Sequence, residues 1–223
     1  MQLIIGNKNY SSWSMRPWVL MKQLGIPFEE VKLRFDFSEG SAFRLAVARH
    51  SPAGKVPVLV DGDLAIWDTL AITEYLAEKH PGVWPAERAA RARARSLVCE
   101  MHSGFSALRN HCPMNIEAQM HDVGQRIWAE QAAVRSDVAR IDAAWTQALA
   151  ASGGPFLFGN FSAADAFYAP VCMRLLSYGL PVSDATRAYV KTVAAAPSVS
   201  AWISDSLAEQ DYLDFDEPYR KHR

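Results

Sequence analysis

The sequence predicts an α/β unit followed by an all-α unit. Two observations carry this. Up to residue 80, short apolar runs and helix-compatible stretches follow the order β-α-β, an interval, then β-β-α. Beyond His80-Pro81-Gly82 and Pro85, the composition turns to long alanine-rich segments with helical spacing. The expected boundaries are 1–80 for the first unit, 81–87 for a linker and 88–223 for the second.

Taken in order, Gln2–Gly6 is apolar enough for a buried strand, and Ser14–Leu24 is compatible with a helix that Gly25-Ile26-Pro27 stops. Phe28–Leu33 alternates as a second strand does, and residues 35–55 read as irregular chain around a short helix. Val56–Val60 and Leu64–Ile66 flank Asp61-Gly62-Asp63 as a tight hairpin. Asp68 or Thr69 caps the next helix, whose inner face carries Ile72, Tyr75 and Leu76. These pieces give a mixed sheet of about four strands. In the second unit, Val134, Val138, Ile141, Trp145 and Leu149 mark one helix over 124–150, ended by Ser152-Gly153-Gly154-Pro155. Ser162-Ala163-Ala164-Asp165 is a capping-box pattern, and further helices are expected over 166–178, 184–195 and 198–208.

Half of the 223 residues are hydrophobic and 21% are charged, the balance of a soluble globular protein. A formal net charge of -1 offers no basic excess for nucleic acid or an anionic membrane. Arg88, Arg91, Arg93 and Arg95 alternate with other residues as on a solvated helix face. No stretch reaches the roughly 20 apolar residues that span a bilayer, and the N-terminus lacks the basic start and apolar run of a signal peptide. Cys99, Cys112 and Cys172 are odd in number and widely spaced, so a reducing cytoplasm is the expected compartment. Cys99 with His102, and His111 with Cys112, do not make up a four-ligand set, and no metal is expected.

Three places carry groups suited to chemistry. Ser11, Ser12 and Ser14 lie where a strand gives way to a helix, whose free amides and positive dipole end favour an anion. A hydroxyl there either caps the helix or donates to a thiolate. Val56-Pro57 opens a strand; a cis bond there would turn the Val56 amide and carbonyl outward toward an extended peptide, although few X-Pro bonds are cis. Asp68 and Thr69 start a helix, where amides and a hydroxyl bind a carboxylate while Asp68 pairs with an ammonium. Both groups together are those of an amino acid.

The serine-rich turn with Arg16 five residues after Ser11, the run Ser51-Pro52-Ala53-Gly54-Lys55-Val56-Pro57-Val58-Leu59, the run Trp67-Asp68-Thr69-Leu70-Ala71-Ile72-Thr73-Glu74-Tyr75-Leu76, and Ser162–Asp165 occur in this order over essentially the whole chain. The chain resembles the cytosolic glutathione transferase superfamily, and its serine motif is most similar to the zeta class, which includes maleylacetoacetate isomerases. The resemblance implies a thioredoxin-like N-terminal domain, an all-helical C-terminal domain, a cis Pro57, glutathione as cosubstrate and a homodimer. It implies that Ser11, with Ser12 the near alternative, activates the thiolate. Val56 would pair with the cysteinyl unit, Asp68 and Thr69 would hold the γ-glutamyl end, and Lys55 would reach the glycyl carboxylate. One departure stands out: zeta enzymes have cysteine where this chain has Trp13, which reshapes the pocket floor. Tyr10 is a nearby phenol that other classes would use.

The second substrate is less legible. Met101, His102, Phe105, Leu108 and Arg109 share one face at spacings of three and four. They are either a core stripe with a surface arginine, or Phe105 and Arg109 line the pocket with Trp13, Arg109 holding an anionic or carbonyl-bearing group. The expected partner is thus a small hydrophobic or carbonyl-bearing electrophile. Three functions remain open: conjugation of glutathione to that electrophile, glutathione-dependent cis–trans isomerisation, and a binding module without catalysis.

Overall fold

The computed structural model describes all 223 residues. Its N-terminal part is built on a four-stranded sheet in the order β2-β1-β3-β4. Strand β1 (Gln2–Ile5) pairs parallel to β2 (Glu29–Lys32) across helix α1 (Ser12–Gln23), and antiparallel to β3 (Val58–Asp61). Leu3 and Ile5 are fully buried on β1, as its apolar run requires. Helix α2 (Ala42–Ala48) occupies the interval, capped by Ser41, whose hydroxyl accepts from the Arg44 amide. Strand β4 (Leu64–Trp67) returns antiparallel to β3, and α3 (Thr69–Ala77) follows it. Asp61 pairs with Leu64, so the central turn residues are Gly62 and Asp63, with positive φ at Gly62 alone. This is the mixed sheet the sequence leads one to expect.

The C-terminal part is all helical: α4 (Arg88–Ser103), α5 (Ser106–His111), α6 (His121–Glu130), α7 (Ala132–Ser152), α8 (Ala163–Tyr178), α9 (Asp184–Ala195) and α10 (Pro197–Glu209). The thioredoxin-like sheet followed by a helical bundle is the fold class expected from the sequence. One expected helix differs. The helix expected over 124–150 is two helices separated at Gln131. The break lies among good helix formers. It coincides with the Arg135 guanidinium donating to the Trp128 and Ala129 carbonyls, which satisfies the end of α6. Glycine at 124 lets α6 approach α8, because a Cβ there would lie 1.8 Å from the Tyr178 carbonyl oxygen.

Helix α8 is the axis of the molecule. Nearly every residue of it is buried, and it packs against α1 of the first part and α4 of the second. Its start is fixed by the capping box: the Ser162 hydroxyl accepts from Ala164, while Asp165 accepts from the Ser162 and Leu157 amides and the Tyr189 hydroxyl. Burial pushes the Asp165 carboxyl up to about 6 although all four of its partners donate. The tail returns to the sheet. The Lys8 ammonium is buried between Asp205 at 2.6 Å and Glu30 at 2.8 Å, and the Trp202 indole donates to the Lys8 carbonyl. No helix is long and apolar enough to cross a membrane.

Candidate active site

At the junction of the two parts lies a cavity of about 740 Å³, within the usual size for a small-molecule site. It gathers Ser11, Ser12, Trp13, Lys55, Val56, Pro57, Asp68, Thr69 and Arg109. Of the residues expected to bind glutathione or the second substrate, Phe105 alone does not line it, and Ser14 and Arg16 of the serine motif lie behind its surface.

Its head is the first turn of α1. Ser11 is 5% exposed, and its Oγ is hydrogen-bonded at 2.7 Å to Ser14 Oγ, which also accepts from the Gly6 amide at 3.2 Å. The Ser11 side chain does not cap α1. The amides of Trp13 and Ser14 have no acceptor in the chain, so the helix presents a free positive end here. Ser12 is half-buried and its hydroxyl has no partner.

Along one wall, the Val56-Pro57 bond is cis, as the resemblance implied. The Val56 amide and carbonyl make no hydrogen bond within the chain, so both main-chain groups are available to an extended ligand. Opposite in character is the start of α3. Asp68 has φ of 75°, a left-handed value that costs a non-glycine residue about 1–3 kcal/mol, and its carboxylate caps α3 by accepting from the Leu70 amide at 2.8 Å. His102, from α4, reaches across: Nε2 lies 3.2 Å from the Asp68 carboxylate and Nδ1 3.5 Å from the Thr69 hydroxyl. Burial lowers the His102 pKa, against the pull of Asp68 and with the help of Arg16 and Arg109. A neutral ring therefore donates from Nε2 to Asp68 and accepts at Nδ1 from Thr69.

The floor is Trp13. Its ring has the Arg16 guanidinium 3.9 Å away, the Arg109 guanidinium 4.9 Å away and the His102 ring edge-on at 5.2 Å. Arg16 is 1% exposed, and its Nε and Nη1 have no hydrogen-bond partner. Burial, Arg174 and Arg109 bring its pKa down to about 9. Leaving a cation buried and unpaired costs several kcal/mol, more than the roughly 2 kcal/mol that an aromatic face returns. Arg174 differs in being satisfied by the Cys112 carbonyl at 2.8 Å and the Pro170 carbonyl at 3.2 Å.

Two readings of the sequence are corrected. Phe105 does not line the cavity: α4 ends at Ser103, Gly104 breaks it, and Phe105 turns with φ of 55° into the hydrophobic core. The expected face from Met101 to Arg109 is therefore not on one helix, although Arg109, on α5, still reaches the cavity. Tyr10 is not poised as an alternative to serine. Its hydroxyl donates to Glu217 at 2.7 Å, and burial and that carboxylate raise its pKa far above the usual phenol value. The sequence also left out the outer wall, made of Phe35, Phe37, Phe43 and the Asp216 carboxyl, which burial and Glu217 push up to about 6. Phe37 packs on Phe215 at 5.1 Å, so the wall is completed by the returning tail. No local signal joins residues so far apart.

This combination of sheet, bundle and junctional cavity defines a protein class, and comparison identifies it. Residues 10–79 match the family model "Glutathione S-transferase, N-terminal domain", and residues 129–205 match "Glutathione S-transferase, C-terminal domain". The chain belongs to the glutathione S-transferase family. Among curated proteins it is 39% identical over 64 residues to a dichloromethane dehalogenase of Methylorubrum extorquens, covering 28% of this chain and 21% of that one. The chain thus matches about a fifth of the length of its first curated relatives. Among solved structures it is similar to a glutathione transferase homologue from Burkholderia with bound glutathione (TM-score 0.67, 24% identity, 94% of this chain and 98% of that one). It is also similar to a zeta-class maleyl pyruvate isomerase (TM-score 0.66, 18% identity, 96% and 100%).

Proposed function

We propose that the chain is a glutathione transferase in which the Ser11 hydroxyl holds the glutathione thiolate for attack on a small electrophile. The observation that carries this reading is a single cavity lined by a helix-start serine, an unpaired Val56 backbone and the Asp68–Thr69 helix start. The γ-glutamyl carboxylate sits on the Thr69 amide, and its ammonium on Asp68. Val56 pairs with the cysteinyl backbone, and Lys55 meets the glycyl carboxylate. The thiol proton leaves to solvent, Ser11 donates to the sulfur, and the free amides of α1 add their dipole. Lowering a thiol pKa from about 8.5 by two units needs roughly 3 kcal/mol, within reach of one charge-assisted hydrogen bond and that dipole together. The sulfur then bonds to the electrophilic carbon, which expels a leaving group or takes up a proton. Arg109, Trp13 and the aromatic wall receive the acceptor. The working unit is a cytoplasmic homodimer.

A second reading, reversible addition of glutathione to isomerise a double bond, is supported by the cationic floor and by similarity to a probable maleylacetoacetate isomerase of Caenorhabditis elegans over 44% of this chain. The two differ in whether glutathione is consumed. The test is an ultraviolet titration of bound glutathione, following thiolate absorbance against pH. The reading expects a pKa well below the free value, and its loss in Ser11→Ala with most glutathione affinity retained. Equal thiolate in both proteins overturns the Ser11 assignment, and an unshifted wild-type value returns the chain to a non-catalytic binding module.

A further inference from the structure

We propose that Arg16 anchors an anion subsite for a carboxylate of the acceptor substrate, and that the Trp13 indole is its movable cover. This rests on the reading above that an acceptor occupies the cavity. Trp13 lines the cavity and Arg16 does not; the guanidinium lies 3.9 Å from the ring centroid, one ring thickness deeper. Behind it are the Phe167 ring at 5.1 Å and, further, the charge of Arg174. No carboxylate of the protein pairs with Arg16. Asp68 is the carboxylate that acts on its charge most, and Asp68 is already engaged by His102 and the Leu70 amide. A guanidinium sealed among other guanidiniums, with two nitrogens unpartnered, has the donor set for an external anion.

The cover is free to move because no directional bond holds it. The Trp13 indole nitrogen makes no hydrogen bond, and its neighbours are ring faces and cations. Rotation gives up those contacts and exposes Arg16 to the volume that Arg109 already faces. Two guanidiniums then converge on one carboxylate. An acceptor without that carboxylate has nothing to exchange for the lost stacking and leaves the indole in place. Trp13 thus sorts acceptors by charge, a role for the residue that separates this chain from the zeta motif.

The test uses succinate, an unreactive dicarboxylate, and succinamide as its neutral counterpart. The full-length protein is labelled with 5-fluorotryptophan, and the Trp13 resonance is assigned by its absence in Trp13→Phe. Succinate is expected to move that resonance saturably, and succinamide is not. Arg16→Met should weaken succinate binding about tenfold and abolish the movement, while Arg16→Lys restores part of it. Trp13→Ala should bind succinate about tenfold more tightly, and Trp13→Ala/Arg16→Met should lose that gain. A stationary Trp13 resonance at saturating succinate overturns the cover. Equal succinate affinity in Arg16→Met and wild type overturns the subsite. Thermal melting separates either result from misfolding, and Arg16→Gln serves if Arg16→Met does not fold. Because succinate binding needs no thiolate, a protein that fails the glutathione titration can still pass this test, and the reverse.

Discussion

Ser11 Oγ lies 2.7 Å from Ser14 Oγ, and Ser14 Oγ accepts from the Gly6 amide. One proton lies between the two hydroxyls, and either can supply it. If Ser11 does, the Ser14 proton has no acceptor at a wholly buried position. If Ser14 does, each group is satisfied and the Ser11 proton is left for the cavity. Ser14 is then a positioning residue acting through Ser11. Ser14→Ala is expected to raise the pKa of bound glutathione by about one unit, a tenfold loss of thiolate near neutrality. Ser11→Ala/Ser14→Ala should match Ser11→Ala alone. The ultraviolet titration checks both, and an unchanged pKa in Ser14→Ala refutes the relay.

His102 links the second part of the chain to the residues expected to hold the γ-glutamyl end. Its pKa is depressed, so the neutral ring is favoured in the folded protein and the change comes below about 6.5. In that window the unfolded chain binds more protons, so the contribution to stability is full above 6.5 and falls as pH drops through the folded value. Protonation puts a cation against the Asp68 carboxylate, 3.2 Å from Nε2, where it competes with the ligand's ammonium for that group. S-methylglutathione, which has no thiol to titrate, should therefore bind more weakly as pH falls below 6.5. In His102→Asn that dependence should flatten, as read by isothermal calorimetry.

The Tyr10 phenol belongs to the tail rather than to the chemistry. Tyr10→Phe breaks its bond to Glu217, which keeps Asn115 and Arg220 as partners. A loss of about 1 kcal/mol in unfolding free energy is expected, with the thiol pKa unmoved. Denaturation and the same titration test the pair of outcomes together, and a raised thiol pKa would return Tyr10 to the site.

Asp165 accepts four hydrogen bonds in the core and carries a pKa near 6. Asp165→Asn turns an acceptor into an NH₂ group facing donors, and should cost roughly 3 kcal/mol by urea denaturation. In the wild type, the folded state binds the Asp165 proton more tightly than the unfolded state does. Its contribution is therefore present below about 4 and lost as pH rises through 6. Asp165→Asn should remove that slope from the pH–stability curve.

Much of the site was legible because its residues act where they stand in the chain. Ser11 and Asp68-Thr69 are helix starts and Val56-Pro57 is the entry to a strand, and local sequence specifies such element ends. The same holds for the Ser162–Asp165 box and the hairpin at Gly62, and the spacing of three between Trp13 and Arg16 already sets them side by side on α1. Tertiary structure decided what lies between distant segments. It ended α4 before Phe105 and split the helix at Gln131, where helix propensity gives no warning. It gave Tyr10 to Glu217 and brought His102 onto Asp68 across 34 positions of sequence. Hydrogen bonds and burial of this kind depend on which surfaces meet when the helical part closes on the sheet, and no local pattern of residues encodes that meeting.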